Sequence, residues 1–594
     1  MCAIAGSVSV NTATANGLQG LNAMLNAMKH RGPDSSGTWV NQQGGVALGH
    51  NRLSILDLSS GGHQPMINKL NGDVLVFNGE IYNFLELRKT LEELGAHFRS
   101  RSDTEVLLLA LQFWGLACLD RLQGMYAFAL WREVDKTLYL VRDPLGIKPL
   151  YYWVDDFRQL VFASELKAFY PLPGFVARID GGALSQFLEF GYCFDDNKTC
   201  LRGVNKLPPG TILKYVLSDA APQFVQYYKP RPETEIPEDQ SKREERLYET
   251  LLQVVRQHLV ADVPVALLLS GGLDSSILAA ISAQFIPLQT ISMGFAGSAL
   301  DERPFARRAA SWVKSAHHEV EISPADVKAG LAENVKSFDD LFSDWGTIST
   351  RLLYAKCRER GVKVVLVGEG SDELFGGYPI FRESLSREPK EWWLFKLYRQ
   401  YSGRRHGLLY PQFRAKMNEH LRSCGDNRFN AIRLFETLQQ LPNNYVMKVD
   451  KASMAVGVEA RVPFLDRRVA DIAYQTPGGS LISATSEKLL LRRMARRFNL
   501  LPPDLLERGK LGGSIASTWM DDDPTWRKYA ETVILDGSGW TAKLGLSGAM
   551  RAYFIGGRSG YSFPHGLSIF RNLAWRLLIL ELWARAFQVA PHAL

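Results

Sequence analysis

No CxxC pair and no regular cysteine spacing occurs in this chain; its six cysteines, at 2, 118, 193, 200, 357 and 424, are scattered over 594 residues. That argues against a disulfide framework and against a cysteine-based zinc or redox motif. Together with the lack of a signal-type leader, it sets the expectation of a reducing cytoplasm. No apolar stretch of about 20 residues is free of charge, so stable membrane insertion is not expected. Leu573 to Phe587 is broken by Arg576, Glu581 and Arg585 and reads as an amphipathic packing helix, and the aromatic-basic stretch at Trp392, Trp393 and Phe395 also reads as packing. Lys and Arg exceed Asp and Glu only mildly, 69 against 62 for a net charge of +7, and form no run, so no nucleic-acid partner is expected. There is no GxxxxGK[ST] phosphate loop and no internal repeat.

What remains is a globular composition, 46% apolar and 22% charged, on a chain too long for one ordinary core. Through residue 215 short alternating runs, such as Val74 to Phe77 and Leu138 to Val141, are bounded by turn signals: NG at 71–72 and 78–79, and DP at 143–144. Helical patterns lie between them at Phe84 to Leu94 and Asp103 to Trp114. Residues 216–240 read as a linker, centred on KPRPETEIPEDQ with its three prolines and many charges. Beyond it, from 241 to 594, a helix at about 241–259 precedes a continuous apolar strand at Val263 to Leu269, then SGG and a helix through Ser282. A second apolar strand, Lys363 to Val367, runs into another glycine-rich loop. Such alternation predicts a parallel α/β sheet with ligands at the strands' C-terminal ends, and the rest reads mostly helical.

Cys2 follows Met1 directly, and its small side chain permits removal of that methionine. The freed α-amine, with a pKa of roughly 8, would serve as base for its own thiol. A cysteine at position 2 alone says little. Here MCAIAG is followed by HRGPD at 30–34, GHNRLSILD at 49–57, FNGEIYN at 77–83 and SDTE at 102–105. This ordered set resembles the class II glutamine amidotransferases, which implies an α+β N-terminal-nucleophile sandwich (αββα) as the first domain. By that resemblance Cys2 attacks the side-chain amide of glutamine, and Asn78 with the backbone N–H of Gly79 forms the oxyanion hole. Arg52 would hold the glutamine α-carboxylate and Asp103 its α-ammonium, with Leu53, Ser54, Ile55, Leu56 and Glu80 completing the contacts. Taken singly, Arg52 and Asp103 would read as a surface ion pair. Ala3 departs from the glycine usual in the family.

SGGLDSS at 270–276 sits between an apolar strand and a helix, where glycines let backbone approach a phosphate chain and a helix N-terminus offers N–H groups to anions. With no Walker lysine, it resembles the loop of enzymes that split ATP between the α and β phosphates. GEGSDELFGGY at 368–378 and GVEARVPFLD at 457–466 narrow the resemblance to the asparagine synthetases, an α/β parallel-sheet nucleotide-binding domain. That resemblance implies ATP as substrate, contacted by Leu268, Ser270, Gly271, Gly272, Asp274, Ser275, Ser276, Met293, Val367 and Gly368. It implies Mg2+ on Asp274 and Asp372. Glu369 is associated with forming the acyl-adenylate, Lys488 with stabilising the charged intermediate, and Tyr378 ends the loop. Lys488 and Arg492, four apart on a helix, also fit a solvated face, and Glu459 with Arg461 fits a structural ion pair.

The expected activity is glutamine hydrolysis coupled to amidation of an adenylated carboxylate, with ammonia passing between the two sites inside the protein. Aspartate is the first choice of acceptor; a uronic acid or a specialised acid is the alternative. LFSDWGTIST at 341–350, with Trp345 where relatives carry smaller or polar residues, is the segment that leaves the acceptor open. A non-catalytic glutamine-sensing or scaffold protein would be expected to have lost Cys2, Asp274 or Asp372, and all three are present. The partners expected are small molecules only; the family pattern suggests a homodimer.

Overall fold

The computed structural model describes the chain except at residues 1, 10–14, 43–44, 157, 219–220, 233–237, 296–300, 404–406, 510–522, 557–566 and 592–594. Met1 and parts of the expected linker therefore lie outside the described residues.

Two six-stranded antiparallel sheets make the first domain. In chain order the strands are β1 (Ala3–Val8), β2 (Ser35–Val40), β3 (Val46–Arg52), β4 (Met66–Ile67), β5 (Val74–Ile81), β6 (Gly124–Arg132), β7 (Thr137–Arg142), β8 (Tyr151–Val154), β9 (Leu160–Ala163), β10 (Val204–Lys206), β11 (Thr211–Val216) and β12 (Gln223–Gln226). One sheet runs β10-β8-β9-β1-β3-β2 and the other β12-β11-β7-β6-β5-β4. Alternate residues of both, including Ile4, Leu48, Val76, Trp131 and Leu140, meet in one buried core, as a period-2 apolar pattern requires. The helix Ala15–Ala27 covers the outer face of the first sheet, and Phe84–Glu93 and Asp103–Trp114 cover that of the second, giving the αββα sandwich.

Two local readings change. The NG at 78–79 is no turn: Asn78 and Gly79 lie inside β5, opposite Ala127 and Tyr126. Glycine is needed there for close approach, because a Cβ on Gly79 would stand 2.2 Å from the Met125 carbonyl oxygen. And β12 pairs with β11, so the second sheet continues past residue 215 into the stretch expected as linker.

The second domain holds a parallel sheet, β15-β14-β13-β16-β17, with β13 (Val265–Leu268), β14 (Gln289–Gly294), β15 (Ala316–Glu321), β16 (Val364–Leu366) and β17 (Glu459–Arg461). The expected strands at 263–269 and 363–367 are β13 and β16. The edge strand β17, inside a region that reads helical, is too short to show a pattern of its own. Helices Gln240–His258 and Leu273–Ser282 flank the sheet. Among the described residues no helix is long and apolar enough to cross a membrane.

The domains meet over buried charge. Arg31, fully buried, donates to Glu165 at 2.9 Å and to Asp450 at 2.8 Å, joining the first domain to the helix Val446–Met454. Arg461 reaches Glu80 at 3.4 Å and Glu459 at 2.6 Å. Such pairs hold the interface because removing one partner strands a buried charge, typically at a cost of about 3–5 kcal/mol.

Candidate active site

Cys2, immediately before β1, lines a small cavity of about 30 Å³ with Arg52, Leu53, Ile55, Leu56, Gly79, Glu80 and Asp103. Its backbone N–H donates to Asn78 Oδ1 at 3.0 Å, and its carbonyl accepts from Arg31 Nε at 3.1 Å. Burial pushes the thiol's pKa up, with the Leu53 N–H and Arg52 offsetting only part of that. The nucleophile is thus stored as a thiol and needs a base.

With Oδ1 on Cys2, the Asn78 amide leaves its Nδ2 buried with no hydrogen-bond partner among the described residues. An orphaned buried donor costs about 1–3 kcal/mol unless something accepts from it. The Gly79 N–H is set beside it by the sheet itself. Tyr126 spends its own N–H and C=O on Asp143, so its pairing with Gly79 is the non-hydrogen-bonded kind and Gly79 turns its N–H to the other edge of β5. On that edge the N–H groups of Phe77 and Ile81 donate to Gln64 Oε1 and Asp103 Oδ2, while Gly79, between them, faces the cavity. Two donors therefore stand near Cys2, where a tetrahedral oxyanion would form.

Arg52 and Asp103 are both buried rather than paired on the surface. Arg52 donates to the carbonyls of Ser59, Leu56 and Asp57, which fix the guanidinium and leave two of its five N–H donors for a carboxylate. Burial pushes the Asp103 carboxyl up to about 6, although the Ile81 N–H donates to it. Glu80 is pushed well up by burial and by Glu459. Ser54 is placed off the cavity: its backbone N–H donates to Asp34, which pairs with Lys363 of the second domain at 2.8 Å.

At the C-terminal ends of β13 and β16 lies a larger cavity of about 470 Å³, lined by Leu268, Ser270, Asp274, Ser275, Met293, Val367, Gly368, Glu369, Asp372 and Tyr378 among others. Gly271, at φ +72°, makes the turn; a Cβ there would lie 2.4 Å from the Phe305 backbone. Gly272 then caps the helix Leu273–Ser282, whose first N–H groups face the loop. Gly271, Gly272 and Ser276 shape this loop without lining the cavity.

Lys488 does not lie on a solvated face: it is buried, and its Nζ lies 2.6 Å from Asp274 and 2.7 Å from Asp372. Burial alone would lower its pKa, and the two carboxylates more than reverse that, so it stays charged. Because one ammonium touches both, the two carboxylates converge on one point, as a shared divalent ion would require. Among the described residues no group of three or more His, Cys, Asp and Glu could hold a metal. Two carboxylates fit Mg2+ that arrives with phosphates supplying further oxygens.

Lys448 and Tyr445, which carry no motif, also line this cavity. Lys448 sits on the same helix as Asp450, so one polar thread runs from the Cys2 carbonyl through Arg31 and Asp450 to the nucleotide cavity. Only HRGPD signalled Arg31 in the sequence, and nothing signalled its partner 419 positions away.

Residues 1–228 match the family described as glutamine amidotransferase domain, and residues 246–585 match the one described as asparagine synthase. The chain belongs to the asparagine synthase family. It is 34% identical over 541 residues to a protein of Mycobacterium tuberculosis named putative asparagine synthetase [glutamine-hydrolyzing], covering 82% of each chain. Asparagine synthetase [glutamine-hydrolyzing] 1 of Bacillus subtilis is 34% identical over 81% of this chain and 82% of its own. Asparagine synthetase B of Escherichia coli is 29% identical over 88% and 84%.

Proposed function

We propose that this member of the asparagine synthase family hydrolyses glutamine at Cys2 and passes the ammonia to a carboxylate activated by ATP as an acyl-adenylate, releasing AMP and pyrophosphate. Once Met1 is removed, the Cys2 amine, held by Asn78 Oδ1, takes the thiol proton as sulfur attacks the glutamine amide carbon. Asn78 Nδ2 and the Gly79 N–H receive the oxyanion; the Cys2 ammonium passes its proton to the departing nitrogen, ammonia leaves, and water cleaves the thioester to glutamate. Arg52 and ionised Asp103 hold the amino-acid end of glutamine.

In the second domain the loops at 270–276 and 368–372 cradle the triphosphate. Mg2+, on Asp274 and Asp372, would neutralise phosphate charge there. Lys488 supplies a second positive charge beside the same carboxylates. The acceptor carboxylate attacks the α-phosphorus, pyrophosphate departs, and ammonia displaces AMP to leave the amide. Ammonia crossing the buried interface avoids bulk water, where protonation would end its nucleophilicity. The family pattern points to aspartate as acceptor. What carries the reading is one chain holding both an N-terminal cysteine beside an orphaned amide donor and two carboxylates converged on one lysine. The test is product analysis with glutamine, ATP and a panel of carboxylic acids: AMP and pyrophosphate in step with glutamate are expected, and ADP with phosphate would refute it.

A further inference from the structure

Beside the nucleotide cavity lies a chamber of about 430 Å³ that neither set of motifs accounts for. The two adjoin: Lys448 lines the nucleotide cavity, and its Nζ lies 3.3 Å from Asp344, which lines the chamber. Tyr445 lines one and its neighbour Asn444 the other. Resting on the ligase reading above, we propose that this chamber is the distal half of the acceptor site, and that the acceptor is a carboxylic acid with a hydroxylated ring, of the sugar-acid class, rather than aspartate.

The chamber's size alone is that of a small-molecule pocket, roughly 300–1,000 Å³. One wall is flat and rigid. Trp345 stacks on Trp575 with centroids 4.2 Å apart and planes 15° from parallel, and Trp575 is fixed by its Nε1 donating to the Ser343 carbonyl at 2.9 Å. Trp345 is only partly buried, so it offers an aromatic surface to the chamber, suited to the apolar face of a ring.

Polar side chains also line the chamber, among them Tyr192, Asn444, Asn572 and Arg576. Tyr192, 5% exposed, has its hydroxyl buried without a partner among the described residues, and so has the side-chain oxygen of Asn444. Unsatisfied groups of this kind cost stability unless a ligand pairs with them, and they reject a ligand that cannot. Among the described residues that line the chamber Asp344 is the only carboxylate, and it is already tied to Lys448, so none of them offers a free carboxylate to the α-ammonium of an amino acid. Lys448, partly buried and kept charged by Asp344 and Glu369, can meet the acceptor's own carboxylate on the nucleotide side.

The experiment compares acceptor-dependent pyrophosphate release by the full-length enzyme, with ATP and glutamine, for hexuronic acids, their nucleotide-linked forms and aspartate. Hexuronate-type acids should be preferred. Tyr192→Phe, which keeps the ring and its packing, and Trp345→Ala should each lower kcat/KM for the ring acid about tenfold or more, through KM. KM for ATP and the glutaminase rate should stay unchanged. Aspartate turnover equal to or above that of the ring acids, indifferent to Tyr192→Phe, would overturn the subsite while leaving the ligase reading intact. No pyrophosphate release with any acid, despite glutamine hydrolysis, would overturn both.

Discussion

Around Cys2 the cavity measures about 30 Å³, and the groups that shape it are held by buried bonds: Arg52 by three loop carbonyls, Asp103 by the Ile81 N–H, Asn78 by Cys2 itself. Around the two glycine loops it measures about 470 Å³, and the charged groups there, Asp274, Asp372 and Lys488, bond mainly to one another. The first region is finished by the protein for one small substrate. The second, on the proposed function, is completed by ATP, since three charges that pair with each other would exchange partners when its triphosphate arrives. A preorganised site has donors whose loss is felt in the transition state; a site completed by its ligand has charges whose loss is felt in assembly.

That contrast can be broken by substitutions confined to one side. The largest effect is expected from Asp274→Asn or Asp372→Asn, each removing a charge that, on the proposed function, gathers ATP and its metal. AMP formation should fall to background in a pyrophosphate assay while glutamine hydrolysis continues, and ligase activity surviving in both variants would contradict the assignment. Asn78→Ala should reduce the glutaminase kcat by about 10²–10³, the usual worth of one oxyanion donor, with ammonia-supported synthesis retained. A change in KM alone would mean that Asn78 only positions glutamine.

The smallest effect is a pH dependence. On the proposed function Asp103 must be ionised to pair with the glutamine ammonium, and burial raises its carboxyl to about 6 in the free enzyme. It is charged above that pH and neutral below it, so KM for glutamine should rise as pH falls through about 6. Glutamine binding should also release a proton over the same range. Asp103→Asn should weaken binding and flatten this profile; an inflection that persists belongs to another group.

What could be read from the sequence follows the same divide between local and distant. Cys2, Arg52, Asp103 and the two glycine loops stand in contiguous motifs, and the helix expected at Asp103 to Trp114 has those limits because Ser102 caps its start and Gly115, at φ +56°, ends it. The NG at 78–79 misleads because a dipeptide cannot reveal that its glycine serves a cross-strand approach to Met125. Lys448 could not be found, since its place depends on Asp344, more than a hundred positions earlier. Trp345 stood out as unusual in the sequence, but its stacking on Trp575 needs the fold.

The central claim is that one chain carries two chemically separate sites joined by ammonia, and the direct test is Cys2→Ala assayed with each nitrogen donor. With an accepted carboxylate and ATP, glutamine should support no amide or AMP formation by this variant, and ammonium salts should support both at near wild-type rate. Loss of synthesis with ammonium to the same degree as with glutamine, in a protein that still folds, would contradict the two-site account.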